Sequence, residues 1–266
     1  MNMSFLRTML LAFSVVFIAS CDSDDDDDNK NQGPTTLAGV VEGDARFTIL
    51  LDALQRTDLD VTLAEAGTFT VFAPTNAAFA DLLAELQLGS LDEVEAALGN
   101  DGLKNVLLYH VLGQVVASAD INTGYVSTLA VNGNGNAISA YVRAGGTVPI
   151  NARANVEQAD LQATNGVAHV INKVLLPASI FDLVAANPNL SSLKAALEAA
   201  DGNLDDVLSD PANSFTLFAP DNVAFDNLIG LLPDVNNLND LVAELGTDGL
   251  STTLLYHVLP GEVQSA

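Results

Sequence analysis

The chain has 266 residues and carries 34 Asp and Glu against 9 Lys and Arg, a formal charge of −25. That balance excludes nucleic acid as a natural partner, because phosphate binding draws on surface cations. A single cysteine excludes an intrachain disulfide, and 49% hydrophobic residues with no tryptophan suit a globular protein with one or two apolar cores.

Residues 1–20 open with a basic side chain, Arg7, continue through an apolar run from Met9 to Phe17 and finish on small residues before Cys21. This is the three-part layout of a secretory signal peptide, and the run is too short to span a bilayer. Ile18-Ala19-Ser20-Cys21 resembles a lipobox, whose cysteine becomes the lipid-modified first residue after cleavage. Cys21 is therefore the expected lipidation site and membrane anchor, with roughly 0.8 kcal/mol per buried methylene holding it there.

Residues 21–36 read as an acidic flexible tether, since Asp22 to Asp28 is acidic except for Ser23 and no apolar run is present to fold. Ser23-Asp24-Asp25-Asp26 resembles the acidic export signals that send some lipoproteins to the cell surface. Asp22, directly after the cysteine, is in some bacteria the residue that retains lipoproteins at the inner membrane. The expected location is outside the cytoplasm and lipid-anchored, at the outer membrane or cell surface.

The rest of the chain repeats itself. Phe69-Thr-Val-Phe-Ala-Pro-Thr-Asn-Ala-Ala-Phe79 returns as Phe215-Thr-Leu-Phe-Ala-Pro-Asp-Asn-Val-Ala-Phe225, and Leu107-Leu-Tyr-His-Val-Leu112 returns unchanged as Leu254-Leu-Tyr-His-Val-Leu259. Offsets of 146 and 147 residues are too long for a solenoid unit and suit a duplicated domain. The first copy runs over 37–177. The second, 178–266, carries only the earlier motifs and is expected to be incomplete at its C-terminal side.

Each copy opens on a helical face: Phe47, Leu50, Leu51 and Leu54 in the first, Leu190, Leu193 and Leu197 in the second. The alternating Phe69-Thr-Val-Phe predicts a strand ended by Pro74, and Thr75 or Asp221 is placed to cap the helix that follows. Phe79, Leu82, Leu83 and Leu86 mark that helix, as do Phe225, Leu228, Ile229 and Leu232. Further helical patterns span Leu91 to Leu98 and Leu103 to Leu112. From 125 to 176 the chain is strand-rich, punctuated by turn signals at Asn132-Gly133, Gly145-Gly146 and Asn165-Gly166. Helices followed by strands predict an α+β fold.

Thr70-Val-Phe-Ala-Pro-Thr-Asn-Ala-Ala-Phe79 together with Asn165-Gly-Val-Ala-His-Val-Ile-Asn-Lys-Val-Leu175 resembles the two signature boxes of the fasciclin (FAS1) domain family. The resemblance implies a wedge of two β-sheets with helices packed around it, in tandem, and a non-enzymatic role in extracellular adhesion to cells, matrix protein or polysaccharide. In some members a Tyr-His segment and a nearby Asp-Ile pair bind integrins, and Tyr109-His110 with Asp120-Ile121 match them. Tyr256-His257 also matches, without an Asp-Ile partner. From the residues themselves, His110 falls on one helical face with Leu103, Val106 and Leu107, which points to a buried, hydrogen-bonded core histidine.

Nothing in the chain marks catalysis. There is no Gly-x-Ser-x-Gly elbow, and Gly133-Asn-Gly135 lies between strands without the third glycine or the helix of a dinucleotide site. His110, His169 and His257 have no metal-ligand spacing, so no metal and no cofactor is expected. The expected partners are an extracellular protein or polysaccharide, and the membrane through the lipid. A structural envelope or periplasmic scaffold lipoprotein is the competing reading.

Overall fold

The computed structural model describes residues 35–211 and 213–263. The leader, Cys21 and nearly all of the acidic tether lie outside the described residues.

The first copy begins with three short helices, α1 (Leu37–Glu42), α2 (Thr48–Arg56) and α3 (Leu59–Ala64), then β1 (Phe69–Pro74), α4 (Asn76–Leu86) and α5 (Leu91–Leu108). Six strands follow: β2 (Val111–Leu112), β3 (Gly124–Val131), β4 (Ala137–Val142), β5 (Pro149–Ile150), β6 (Ala154–Ala163) and β7 (Gly166–Ile171). The second copy runs α6 (Ile180–Ala186), α7 (Ser191–Ala199), α8 (Leu204–Ser209), β8 (Phe215–Leu217), α9 (Asn222–Leu231), α10 (Leu238–Leu255) and β9 (Val258–Pro260).

The caps act as their residue types dictate. Thr75 Oγ1 accepts the Ala78 N–H at the start of α4, and Asp221 Oδ1 accepts the Ala224 N–H at the start of α9. The helical pattern read over Leu103 to Leu112 is corrected at its end. α5 stops at Leu108, the His110 N–H closes onto the Leu107 carbonyl, and Val111 and Leu112 turn away to pair with Val71 and Thr70 of β1. A short apolar run fits either period, and pairing with β1 decides it. α5 is also broken at Gly99, which takes φ 74° and ψ 165°. Gly246 breaks α10 the same way, at φ 68° and ψ 163°.

The strands of the first copy follow the order β2-β1-β7-β6-β5-β4-β3, with β1 and β7 parallel and the other neighbours antiparallel. They form two groups, joined where Ala154 and Asn155 at the start of β6 pair with Ile150 and Pro149. Along β1 the side chains alternate between two cores. Val71 and Ala73 pack with Phe47, Leu50, Leu54, Phe79 and Leu103 from the helices. Phe72 packs with Tyr109, Ile171 and Leu175, and with Ala140, Val142 and Ile150 from the other group of strands. The result is an α+β fold in which the expected two sheets are two groups of strands within one seven-stranded sheet, with helices on one side.

The second copy reproduces several hydrogen bonds of the first. Asn76 accepts the Ile49 N–H at 3.0 Å and donates to the Ala45 carbonyl at 3.0 Å. Asn222 accepts the Ser192 N–H at 2.9 Å and donates to the Pro188 carbonyl at 3.0 Å. Phe72 and Phe218 each donate a main-chain N–H at 2.8 Å to the carbonyl of the histidine in their own copy. Their burial nevertheless differs: Phe72 is 2% exposed and Phe218 56%. Tyr109 and Tyr256 differ in the same sense, at 0% and 84%. The side chains that cover Phe72 and Tyr109 come from β4, β5 and the segment from β7 to Leu175, which have no counterpart among the described residues of the second copy.

Candidate binding site

The Tyr-His segment of the first copy lies inside the domain. Tyr109 Oη donates to the Ser139 carbonyl at 2.8 Å and accepts from Asn151 Nδ2 at 2.8 Å, and burial pushes its phenol up to about 12. His110 Nδ1 donates to the Val106 carbonyl at 2.8 Å, while Nε2 accepts the Leu175 N–H at 2.9 Å. Those partners fix the tautomer, and complete burial lowers the imidazole to about 4, so the ring is neutral. Neither ring has surface to offer a ligand while the domain is closed. In the second copy Tyr256 is exposed, and His257 Nδ1 donates to the Thr253 carbonyl at 3.0 Å.

Asp120 and Ile121 are placed differently. A single helical turn over Ser118–Asp120 ends at Ile121, which is buried, whereas Asp120 faces solvent. Ile121 forms part of the wall of a cavity of about 270 Å³ that enters the domain between the two groups of strands. Its interior is formed by Phe72, Leu112, Val126, Val142, Thr70 and His169, and its mouth by Gln114, Asp120, Asn122, Thr123 and Tyr125. The volume is close to the roughly 300 Å³ at which small-molecule pockets begin.

The polar groups in the wall are already satisfied. Thr70 Oγ1 donates to the Gln114 carbonyl at 2.7 Å and accepts the Val116 N–H at 2.8 Å, which ties the connection between β2 and β3 to β1. His169 Nε2 donates to the Val116 carbonyl at 2.9 Å and Nδ1 accepts the Asp160 N–H at 3.2 Å. The cavity thus offers apolar surface inside, and no hydrogen bond among the described residues engages the Asp120 carboxylate at its mouth. That combination suits an apolar side chain or ring on a partner, with a cation alongside.

Sequence reasoning missed Asp160. It sits in β6 at positive φ, 61°, where the pairing with β7 is irregular between Gln158 and Leu161. From there its carboxylate accepts the Ser118 N–H at 2.9 Å and the Ser118 hydroxyl, and those bonds hold it below the usual carboxylate range. Asp160 thereby anchors the turn that carries Asp120. An aspartate within a strand-like run gives no sign of this in the sequence.

Among the described residues no group of three or more His, Cys, Asp or Glu is arranged to hold a metal ion, and no helix is long and apolar enough to cross a membrane.

The model of the fasciclin domain family matches residues 45–177 and again 188–266. Protein sll1483 of Synechocystis sp. is 39% identical over 176 residues, covering 65% of this chain and 92% of that protein. The transforming growth factor-beta-induced protein ig-h3 of Sus scrofa is 38% identical over 143 residues, covering 53% of this chain and 19% of that protein. Periostin of Homo sapiens is 33% identical over 196 residues, covering 73% of this chain and 21% of that protein. The chain thus spans nearly all of the first relative and about a fifth of each of the other two. Among solved structures, a FAS1 domain pair from the insect cell adhesion molecule fasciclin I matches with a TM-score of 0.47 at 19% identity, covering 80% of this chain and 70% of that one. With both copies matched by the family model, this chain belongs to the fasciclin domain family.

Proposed function

We propose that the protein is a non-enzymatic adhesion protein that uses its fasciclin domains to contact cells, matrix protein or polysaccharide, and that Cys21 anchors it by lipid outside the cytoplasm, at the outer membrane or cell surface. The observation that carries this reading is the position of the Asp120-Ile121 pair, which the family resemblance marks for binding, with Asp120 at the mouth and Ile121 in the wall of an open apolar cavity. The wall groups already have partners, so the cavity favours capture of an apolar group over chemistry on it. Tandem copies on one tether add avidity, since a second weak contact made by a linked module can raise affinity by orders of magnitude.

Deleting residues 37–266 should lower cell attachment or biofilm formation while the lipidated stub is still exported; unchanged attachment counts against the proposal. Asp22 after the anchoring cysteine favours a second reading, an envelope or periplasmic scaffold. Protease shaving of whole cells separates the two, because cleavage of the domains at the surface excludes retention inside.

A further inference from the structure

The turn between β3 and β4 is organised by one asparagine. Asn132 Oδ1 accepts the main-chain N–H groups of Asn134 and Asn136, each at 3.0 Å, and Gly135 takes φ 80° to close the turn. With Oδ1 committed inside the turn, the Nδ2 group of Asn132 is left to face out beside the amides of Asn134 and Asn136. All three converge on one carboxylate of the second copy, that of Glu262. Asn132 Nδ2 donates to Oε1 at 2.5 Å, Asn134 Nδ2 donates to Oε1 at 3.2 Å, and Asn136 Nδ2 donates to Oε2.

Glu262 is itself held in place. The Gly261 N–H donates to the Ser214 carbonyl at 2.8 Å, which sets the residues after β9 beside the start of β8. The Ser214 hydroxyl then donates to Glu262 Oε1 at 3.2 Å and accepts from Asn134 Nδ2 at 3.1 Å. Some distance away, Asn187 Nδ2 donates to the Tyr125 hydroxyl at 3.0 Å, joining β3 to the residue after α6. A cleft of about 640 Å³ is lined by both copies, with Ile138 and Ser139 from the first and Leu183, Phe215 and Leu217 from the second.

We propose that the Asn132–Asn136 turn is the docking surface for the following fasciclin copy, which it recognises by the Glu262 carboxylate, so that the pair moves as one rigid body. The recognition is particular to the second copy: the repeat offset places Val115 where Glu262 stands and Thr68 where Ser214 stands. Its chemistry also suits this chain. With 34 acidic against 9 basic side chains, a guanidinium or ammonium clamp is scarce, and neutral amides hold a carboxylate without one. A fixed spacing between copies sets the effective concentration of the second contact in any two-point attachment.

Residual dipolar couplings on the 15N-labelled full chain test this. One alignment tensor should fit both copies in the wild type. E262A and N136A should each require two tensors, with couplings inside each copy still fitting that copy's own fold. E262Q, which keeps one acceptor oxygen, should fall between. Because N136A leaves every side chain of the second copy in place, it makes the same reading even if E262A loosens that copy. A single tensor persisting in N136A, or two tensors already needed by the wild type, overturns the proposal.

Discussion

His110 Nε2 accepts the main-chain N–H of Leu175 at 2.9 Å, so a residue just past α5 and one just past β7 hold each other across 65 positions of sequence. The bond requires a neutral ring, and burial lowers the imidazole from 6.5 to about 4 in the folded protein. Between those values the unfolded chain binds a proton that the folded chain does not, so stability is lost as pH falls from 6.5 and levels off near 4. The expected slope is about 1.4 kcal/mol per pH unit. Urea unfolding of the first copy at pH 4.5 and 6.5 should show it, and H110Q, less stable at both, should lack this component.

Asn165 and Gly166 close the first copy at one point. The Asn165 side chain is buried, donates to the carbonyls of Leu63 at 2.8 Å and Glu65 at 2.7 Å, and accepts the Leu37 N–H at 2.9 Å. N165A strands those groups and should cost about 2–4 kcal/mol. At Gly166 an added Cβ would lie 2.1 Å from the Phe69 carbonyl oxygen, so the parallel pairing of β1 with β7 would have to shift. G166A should cost about 3 kcal/mol by denaturant midpoint.

Phe72 and Phe218 are equivalent in sequence and share the main-chain bond to the carbonyl of their own histidine, but they differ in burial. F72A opens a cavity between the two groups of strands and should cost about 3–5 kcal/mol. F218A removes a ring that is more than half exposed and should cost less than about 1 kcal/mol. Two unfolding profiles, one for each variant, check the contrast.

Much of the fold was legible where local chemistry and tertiary packing agree. The spacing of Phe47, Leu50 and Leu54 gave the buried face of α2, Thr75 and Asp221 gave the caps, and Asn165-Gly166 gave the turn into β7. What escaped depends on contacts far apart in sequence. Val111 and Leu112 read as helix until β1 claims them as a strand. Asn132-Gly133 reads as a turn, but nothing local says that its amides face a glutamate 130 positions later. Of the candidate site residues, the resemblance named Asp120 and Ile121, yet the cavity beside them is assembled from β1, β2, β3, β4 and β7 and has no linear pattern.

Adhesion through that cavity is tested by attaching beads coated with the full chain, wild type or V126F, to the cells or matrix the protein meets. Val126 lines the cavity, which a ring placed there is meant to fill, and neither Asn165 nor His110 is among the residues that line it. If the cavity captures the partner, V126F beads with an unchanged melting profile attach about tenfold less, a loss of about 1.4 kcal/mol. Equal attachment by both sets of beads would contradict it.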